Sequence, residues 1–419
     1  MKSVLRSFFV GLSALLAGMV IRKYHPTVVM VTGSIGKTST KDALAAALSA
    51  SYYLRASEKS YNSEFGVPFT IFGTHTPWKS VVGWFSVFKQ AFALVLLPNH
   101  YPNLLVLEVG ADRPGDIEKI LRIATPDAVV VTQLPEVPVH VEAYASPEAL
   151  REEEFMPALL LPPGAPLVVC AHDARALEMA TRVPVTLITY GSVKGAGLEV
   201  CHADFYSEGG RVVGMHAKVV TKSGKEDLVV LGSVGSQQIL PAAAALAVAL
   251  ALHVPLSDAL AALKKYVPPP GRGRVFAGIH GSVLIDDSYN SSPAAAEEAL
   301  KTLKAFPNAK RRIAILGDML ELGRYSVSEH ERIGRLAGEC VDMLIPIGVR
   351  SRLMPGATAH FDDSASAAPK IAEMVQEGDV ILIKGSQSIR TERIVEALLA
   401  DRADREKLVR QEKEWKRKG

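Results

Sequence analysis

Residues 32–40 read Thr32-Gly33-Ser34-Ile35-Gly36-Lys37-Thr38-Ser39-Thr40, and they stand between an apolar run at 28–31 and an alanine- and leucine-rich stretch. This order predicts a strand, a phosphate-binding loop and a helix. The glycines let backbone N–H groups converge on phosphate oxygens, and the helix N-terminus adds its positive dipole end. Lys37 can neutralise the β- and γ-phosphates, and Thr38 would ligate Mg²⁺. The loop is shorter than the general P-loop, but its setting still predicts ATP binding.

The length and charge of the chain limit its class. A chain of 419 residues predicts two or three domains, and 48% apolar with 22% charged residues is typical of a globular protein. Lysine and arginine number 47 against 44 acidic residues, which is too small an excess to indicate a nucleic-acid partner. Cys170, Cys201 and Cys340 show no pairing or zinc spacing, which favours a reducing cytoplasm.

Two apolar segments raise the question of a membrane. The run at 8–21 lies between basic residues at 2 and 6 and at 22 and 23, but its 14 residues fall short of the roughly 20 needed to span a bilayer. It is either an interfacial or membrane-inserted helix or a helix packed against the protein. A second apolar stretch at 78–97 is most simply interpreted as a helix of the protein core. Together the two segments favour a cytoplasmic protein with peripheral contact at the inner face of the membrane.

Alternation along the chain predicts an α/β protein. Strand-like runs at 104–108, 128–132 and 166–170 alternate with helix-like segments, which favours a mostly parallel sheet covered by helices. Short β-rich runs at 183–234 suggest an antiparallel excursion, and 241–252 reads as a buried helix. The stiff Val-Pro-Pro-Pro-Gly sequence at 267–271 predicts a domain boundary, beyond which a smaller α/β domain has strands at 283–286, 312–316, 343–347 and 380–384. The predicted units are an apolar helix at 1–23, a central domain at 24–267, a C-terminal domain at 268–400 and a charged helical tail at 401–419.

Two polar residues follow predicted strands, where open α/β sheets place ligands. Glu108 ends the apolar run at 104–107, so its carboxylate could face the phosphate loop and hold magnesium. His140 follows the strand that ends at Thr132. A single histidine is more often structural or exposed than a metal ligand.

The motifs as a set resemble the Mur ligases of bacterial peptidoglycan synthesis. They occur in the family's order from about residue 24 to about residue 400, and as a set they are highly specific. They are the phosphate loop; Asn62-Ser63-Glu64-Phe65-Gly66-Val67-Pro68; Glu108-Val109-Gly110-Ala111 with Pro114-Gly115-Asp116-Ile117; Gly271-Arg272; Asp286-Asp287-Ser288-Tyr289-Asn290; Leu316-Gly317-Asp318-Met319-Leu320-Glu321-Leu322-Gly323; and Lys384-Gly385-Ser386.

The resemblance implies an ATP- and Mg²⁺-dependent amide ligase with a central P-loop ATPase domain and a C-terminal Rossmann-like domain. In such enzymes a substrate carboxylate attacks the γ-phosphate to give an acyl phosphate, which an amine then captures. The leading expectation is addition of D-alanyl-D-alanine to a UDP-N-acetylmuramoyl tripeptide by a monomeric enzyme. The alternatives are a ligase for a lipid-linked or non-murein substrate, with an amino acid or dipeptide as the amine, and a P-loop ATPase that has lost ligation.

The resemblance also implies roles for single residues. Lys37, Glu108, His140 and Glu154 are the expected catalytic residues, and domain closure would complete the site. The expected ATP-binding residues are Gly33, Ser34, Gly36, Lys37, Thr38, Ser39, Arg272, Asp287 and Asn290; the expected metal ligands are Thr38, Glu108, His140 and Glu154; the expected substrate-binding residues are Asn62, Lys384, Gly385 and Ser386.

The chain departs from the family pattern in several places, three of which bear on ligand binding. The family commonly carries a carbamylated lysine where this chain has Glu154, so we predict that the glutamate replaces the carbamate, with Glu153 as the register alternative and a solvated acidic helix face as the structural one. The motif at 235–238 reads Gly-Ser-Gln-Gln, which leaves the contacts to adenine undefined. The family's N-terminal UDP-binding domain is not recognisable, so the carboxyl substrate is expected to be held differently.

Overall fold

The computed structural model describes residues 2–77, 80–222, 224–412 and 415, and in the first helix it describes the side chains from Phe8 onward. A nine-stranded sheet and a five-stranded sheet organise the chain. The first sheet contains β1 Thr27–Thr32, β2 Leu54–Ala56, β3 Leu104–Glu108, β4 Ala128–Val131, β5 Pro166–Cys170, β6 Thr186–Gly191, β7 Leu198–Glu208, β8 Arg211–Thr221 and β9 Gly224–Leu231. The second contains β10 Arg274–Ala277, β11 Val283–Asp287, β12 Arg311–Gly317, β13 Met343–Ile347 and β14 Asp379–Lys384.

The first sheet has the order β2-β3-β1-β4-β5-β6-β7-β8-β9. Its strands are parallel from β2 to β7, and β7, β8 and β9 pair antiparallel. The predicted mostly parallel sheet with an antiparallel excursion is therefore confirmed, although the parallel part extends through β6, within the segment assigned to the excursion. Strands β1, β3 and β4 are almost completely buried, as continuous apolar runs predict.

The second sheet has the order β10-β11-β14-β12-β13 and is parallel except for the β10–β11 pair. Helices cover both sheets: α1 Lys2–Tyr24, α2 Lys37–Leu48, α3 Val67–Phe72, α4 Val81–Leu96, α5 Asp116–Leu121, α6 Pro147–Leu159, α7 Ala174–Ala180, α8 Ser236–Ala251, α9 Leu256–Leu263, α10 Pro293–Ala305, α11 Ser326–Gly338, α12 Ser364–Met374 and α13 Glu392–Leu398. Helix α8 is buried along most of its length, as predicted for 241–252.

The first helix packs against the protein, which was one of the two alternatives for the run at 8–21. Leu16, Ala17 and Val20 are buried, and the ammonium of Lys23 donates to the carbonyl oxygens of Leu94 and Leu97 at 2.9 and 2.6 Å. That ammonium therefore satisfies free carbonyls at the end of α4. Within the described ranges, no helix combines the length and the apolar character needed to cross a bilayer.

Residues 401–412, the continuous part of the tail that the structure describes, do not form the solvated helix predicted for 401–419. Residues Arg402–Lys407 form a 3₁₀ turn, and Leu408, Val409 and Arg410 are buried after it. These three residues pack at the start of the second sheet, where a Cβ on Gly271 would lie 2.8 Å from Val409 Cγ1. The high charge of the segment concealed these buried residues. Positions 413, 414 and 416–419 lie outside the described residues.

Candidate active site

A cleft of about 770 Å³ lies between the two sheets. The first sheet contributes the phosphate loop, the end of β3 and the 139–140 loop, and the second contributes the segments after β11, β12 and β14. The lining residues are Ser34, Ile35, Gly36, Lys37, Thr38, Ser60, Asn62, Glu108, Asp112, Val139, His140 and Glu154 on the first side, and Arg272, Tyr289, Asn290, Ser291, Ser292, Ala295, Leu320, Glu321, Ser386, Gln387, Ser388, Arg390 and Trp415 on the second.

The phosphate loop has the predicted strand–loop–helix geometry, with β1 ending at Thr32 and α2 beginning at Lys37. Gly33 has φ +112°, and a Cβ there would lie 2.4 Å from Thr132 Oγ1, so this position requires glycine. Gly36, with φ +84°, precedes α2 and has open space where a Cβ would be. The helix N-terminus is therefore accessible to an anion in the cleft.

The Lys37 ammonium is held at the loop by two groups. It donates to the Gly33 carbonyl oxygen and lies 3.8 Å from Glu154 Oε1. This arrangement keeps the Lys37 ammonium beside the N-terminus of α2. A bound phosphate could replace the longer contact, the one to Glu154.

Glu108 and Thr38 form a small oxygen cluster at the base of the loop. Thr38 Oγ1 donates to Glu108 Oε1 at 3.1 Å and lies 2.9 Å from Ser60 Oγ. The other carboxylate oxygen of Glu108 is buried with no hydrogen-bond partner among the described residues. Burial raises the pKa of Glu108, and the positive charges of Lys41 and Lys37 oppose that rise. An unpartnered oxygen beside a hydroxyl is a donor set that fits a hard divalent cation.

Glu154 and Glu153 have different surroundings, although they are adjacent on α6. Glu154 Oε2 accepts from Ser34 Oγ at 2.5 Å, so its carboxylate lies in the phosphate loop. Burial raises its pKa, and the Lys37 charge opposes the rise. Glu153 instead accepts from the N–H groups of Gly115 and Ile117 at 3.0 and 3.1 Å, which caps α5. The solvated-face alternative is wrong, because both glutamates are buried.

His140 makes a contact between the two sides of the cleft. Its Nδ1 lies 2.9 Å from Glu321 Oε2, and its Nε2 lies 3.5 Å from Asp112 Oδ1. Burial lowers the pKa of His140, but the hydrogen bond to Glu321 and the charge of Asp112 outweigh it, so the pKa is raised overall.

The expected metal ligands do not form one acidic and histidine cluster in this conformation. Across the part of the chain that the structure describes, no group of three or more His, Cys, Asp or Glu side chains is arranged to hold a metal ion. Both His140 nitrogens face carboxylates other than Glu108 and Glu154. His140 therefore does not share a metal site with Glu108 or Glu154 in this conformation.

Arg272 and Tyr289 form the other wall beside the boundary of the second sheet. The Arg272 guanidinium carbon lies 4.2 Å from the centre of the Tyr289 ring. Arg410 supports this wall from the tail, because its guanidinium donates to the Tyr289 carbonyl oxygen and to Glu392 Oε2, the latter at 2.8 Å. Trp415 also lines the cleft.

Five residues expected to contact ligands lie outside the cleft lining: Gly33, Ser39, Asp287, Lys384 and Gly385. Lys384 is buried, and its ammonium donates to Asp287 Oδ2 at 2.7 Å and to the Asn290 carbonyl oxygen at 2.9 Å. Asp287 and Lys384 therefore neutralise each other in a buried ion pair. The expected direct contacts of Asp287 with ATP and of Lys384 with substrate do not fit this conformation. Gly385 packs against Gly317 and Thr391, which also differs from the expectation.

The other expected residues divide between the cleft and its support. Asn290, Asn62 and Ser386 line the cleft, the last accepting from the Leu320 N–H at 2.9 Å. Ser39 is buried under the loop, where its carbonyl oxygen accepts from Tyr266 at 3.2 Å.

Sequence reasoning missed several residues of the cleft. Glu321 stands in the Leu316–Gly323 motif (316–323), but nothing in that motif shows that it meets His140, 181 positions earlier. A positive φ of 64° marks its unusual backbone only once the structure is known. The other missed polar and aromatic residues of the cleft include Ser60, Asp112, Arg390 and Trp415.

Comparisons with known proteins agree with this architecture. The model of the family described as "Mur ligase, glutamate ligase domain" matches residues 271–387. The UDP-N-acetylmuramoyl-tripeptide--D-alanyl-D-alanine ligase of Mycobacterium leprae is 28% identical over 90% of this chain and 74% of its own length. The enzyme of the same name from Escherichia coli is 27% identical over 91% of this chain and 79% of its own length.

The structural comparison includes a nucleotide complex. The crystal structure of MurF ligase from Thermotoga maritima in complex with ADP is 26% identical, covers 93% of this chain and 83% of its own, and has a TM-score of 0.77. Residues 271–387 therefore match a Mur ligase domain, and the chain is similar to these ligases in sequence and in its two-sheet architecture along most of its length.

Proposed function

We propose that this chain joins D-alanyl-D-alanine to a UDP-N-acetylmuramoyl tripeptide with hydrolysis of ATP to ADP and phosphate. The names of relatives that match about nine-tenths of the chain support this reaction. The observation that carries the proposal is the position of Lys37 and Arg272 on opposite walls of one cleft. A nucleotide bound there would contact residues on both walls of the cleft.

The chemistry requires positive charge at the point of phosphoryl transfer. A carboxylate and a triphosphate repel each other, so cations must screen their approach. Lys37 and the N-terminus of α2 act from one side, and Arg272 acts from the other. The carboxylate oxygen attacks the γ-phosphorus while the bond to the β-phosphate oxygen breaks, which gives an acyl phosphate and ADP. The amine nitrogen then attacks the acyl carbon, loses a proton and displaces phosphate.

Thr38 and Glu108 would hold Mg²⁺, since their oxygens form the cluster with an unpartnered acceptor. The ion would supply charge neutralisation for the phosphates. Glu154 replaces the carbamylated lysine of the family, because its carboxylate lies within the phosphate loop at Ser34 and near Lys37. Asn62 and Ser386, on opposite walls, would contact the reacting ends of the two substrates.

The test is a reconstituted ligation. The purified chain is incubated with Mg·ATP, UDP-N-acetylmuramoyl tripeptide and D-alanyl-D-alanine, and both phosphate release and the mass of the product are followed. We expect phosphate release that depends on both acceptors, together with the pentapeptide product. The Lys37→Ala variant should lose both signals, and Lys119→Ala, which removes an exposed lysine, should keep them.

Two other results would overturn the assignment. Phosphate release without either acceptor would indicate an ATPase that has lost ligation. Acceptor-dependent release with a lipid-linked or non-murein carboxylate, and none with the UDP-linked tripeptide, would indicate a ligase of another substrate.

A further inference from the structure

Helices α1 and α4 form a fixed pair on the outside of the first sheet. The Phe9 ring stacks on Trp84 and Phe88 with centroid distances of 5.1 and 5.6 Å. At the other end of the pair, Tyr24 OH donates to the Leu94 carbonyl oxygen at 2.9 Å. Aromatic stacking and hydrogen bonds therefore hold the two helices together along their length.

Large apolar side chains point to solvent from both helices. On α1, Phe8 is 61% and Leu15 58% exposed, and Met19 continues this row at helical spacing. On α4, Phe85 is 74% exposed and lies next to Trp84, the residue on which α1 packs. We call this surface the α1/α4 face; its exposed members are Phe8, Leu15, Met19, Val81, Val82, Phe85, Phe92, Leu96 and Leu97.

Exposed apolar residues on a globular protein are ordinary when they are scattered, but a grouped set marks an interaction surface. The described residues include nineteen exposed large apolar side chains, and nine of these belong to the α1/α4 face. Such a concentration on two helices is typical of a surface that binds another molecule or a membrane.

The charge of these segments favours an anionic binding partner for the α1/α4 face. Residues 1–24 and 78–97 contain six charged residues, and all six are basic, whereas the whole chain is nearly balanced at 47 basic and 44 acidic residues. Lysine and arginine beside an apolar helix face are typical of helices that lie in the interface of an anionic bilayer. Two copies of this face would bring like charges together, which disfavours self-association through it.

We propose that the α1/α4 face docks on an anionic phospholipid bilayer, with its apolar side chains in the acyl boundary and with the net positive charge of the two segments attracting the headgroups. Neither helix would cross the membrane. The proposal uses no residue of the cleft and is independent of the proposed ligase reaction.

Flotation of the full chain with lipid vesicles tests the proposal. Vesicles of phosphatidylcholine alone are compared with vesicles that also contain phosphatidylglycerol. We expect flotation with the anionic vesicles, and weaker binding at high salt because the headgroup attraction is screened. The double variant Leu15→Glu/Phe85→Glu should bind at least about tenfold more weakly, since two exposed apolar anchors become anionic.

A matched variant separates this surface from general hydrophobicity. Val327 and Val349 are also exposed, at 54% and 70%, but they lie on the second domain. The Val327→Glu/Val349→Glu variant should float as the unaltered chain does. Circular dichroism melting of both variants should match the unaltered chain, because all four positions are exposed.

Three outcomes would overturn the proposal. One is failure of the unaltered chain to float with anionic vesicles, and another is equal binding to neutral and anionic vesicles. The third is a dimer in analytical ultracentrifugation that Leu15→Glu/Phe85→Glu converts to a monomer, which would assign the face to a second copy of the chain.

Discussion

At the scale of single residues, the ionised carboxylate of Glu108, which is the form that would bind Mg²⁺, lowers the stability of the fold. Burial raises its pKa, so the folded state favours the neutral acid, and the ionised form destabilises the fold above that pKa. We expect Glu108→Gln to raise the free energy of unfolding by about 1 kcal/mol at neutral pH. The gain should shrink as the pH falls through the raised pKa, because the native carboxyl then becomes neutral too. Urea denaturation across pH measures this.

The same variant should lose at least about 100-fold in ligation rate, since it removes a proposed ligand of the Mg²⁺ that neutralises the phosphates. Glu153→Gln is the matched control, because Glu153 caps α5 and does not line the cleft. It should lower stability by about 1 kcal/mol. A stabilised Glu108→Gln variant with full activity would contradict a role for Glu108 in catalysis.

Glu154 gives a second prediction at this scale. If its carboxylate takes the place of a carbamate, Glu154→Ala should lose most activity, whereas Glu154→Lys should be inactive until added bicarbonate carbamylates the new amine. Ligation assays with and without bicarbonate measure this rescue. Full ATP-dependent activity of Glu154→Ala would exclude the replacement.

At the scale of elements, the sequence predicts the strands, whose bounds depend on residues that are neighbours along the chain. The bounds of β3, β5 and β13 agree with the predicted runs, because a buried parallel strand is a continuous apolar segment with turn residues at its ends. The contact of His140 with Glu321 joins two loops from different sheets, and no local pattern encodes it. Arg410 was likewise hidden, since a buried arginine and an exposed one look alike in a charged tail.

The loops that carry His140 and Glu321 should act as a pH-dependent contact. The raised pKa of His140 means that the ion pair stabilises below the ordinary value of 6.5 and is lost as pH rises through the raised value. Glu321→Gln should therefore lower the melting temperature at about pH 6 and leave it unchanged at about pH 9. The loss should stay below about 1 kcal/mol because Glu321 is half exposed. An equal loss at both pH values would show that the charge of His140 is not involved.

The tail should behave as part of the second domain. Arg410 and Glu392 are both nearly inaccessible and lie 2.8 Å apart, so Arg410→Ala leaves one oxygen of a buried carboxylate unpaired, while Arg390 still binds the other oxygen. We expect a loss of about 3 kcal/mol in urea denaturation. Arg405→Ala, in a half-exposed pair with Glu396, should cost less than about 0.5 kcal/mol. Equal effects of the two variants would contradict a structural role for the tail.

At the scale of the whole molecule, the cleft makes nucleotide binding a property of both domains. Lys37 follows the first strand of the large sheet, whereas Arg272 precedes the small sheet and packs on Tyr289. A ligand that binds only the folded state stabilises it by about 2.7 kcal/mol at 100 times its dissociation constant. We expect Mg·ADP to raise the melting temperature of the intact chain, and Arg272→Ala to lose at least half of the shift although the phosphate loop is unchanged. Arg335→Ala, at an exposed position of α11, should keep the full shift. A full shift in Arg272→Ala together with none in Lys37→Ala would mean that the first domain alone holds the nucleotide, and the second would then have to serve the amine substrate only.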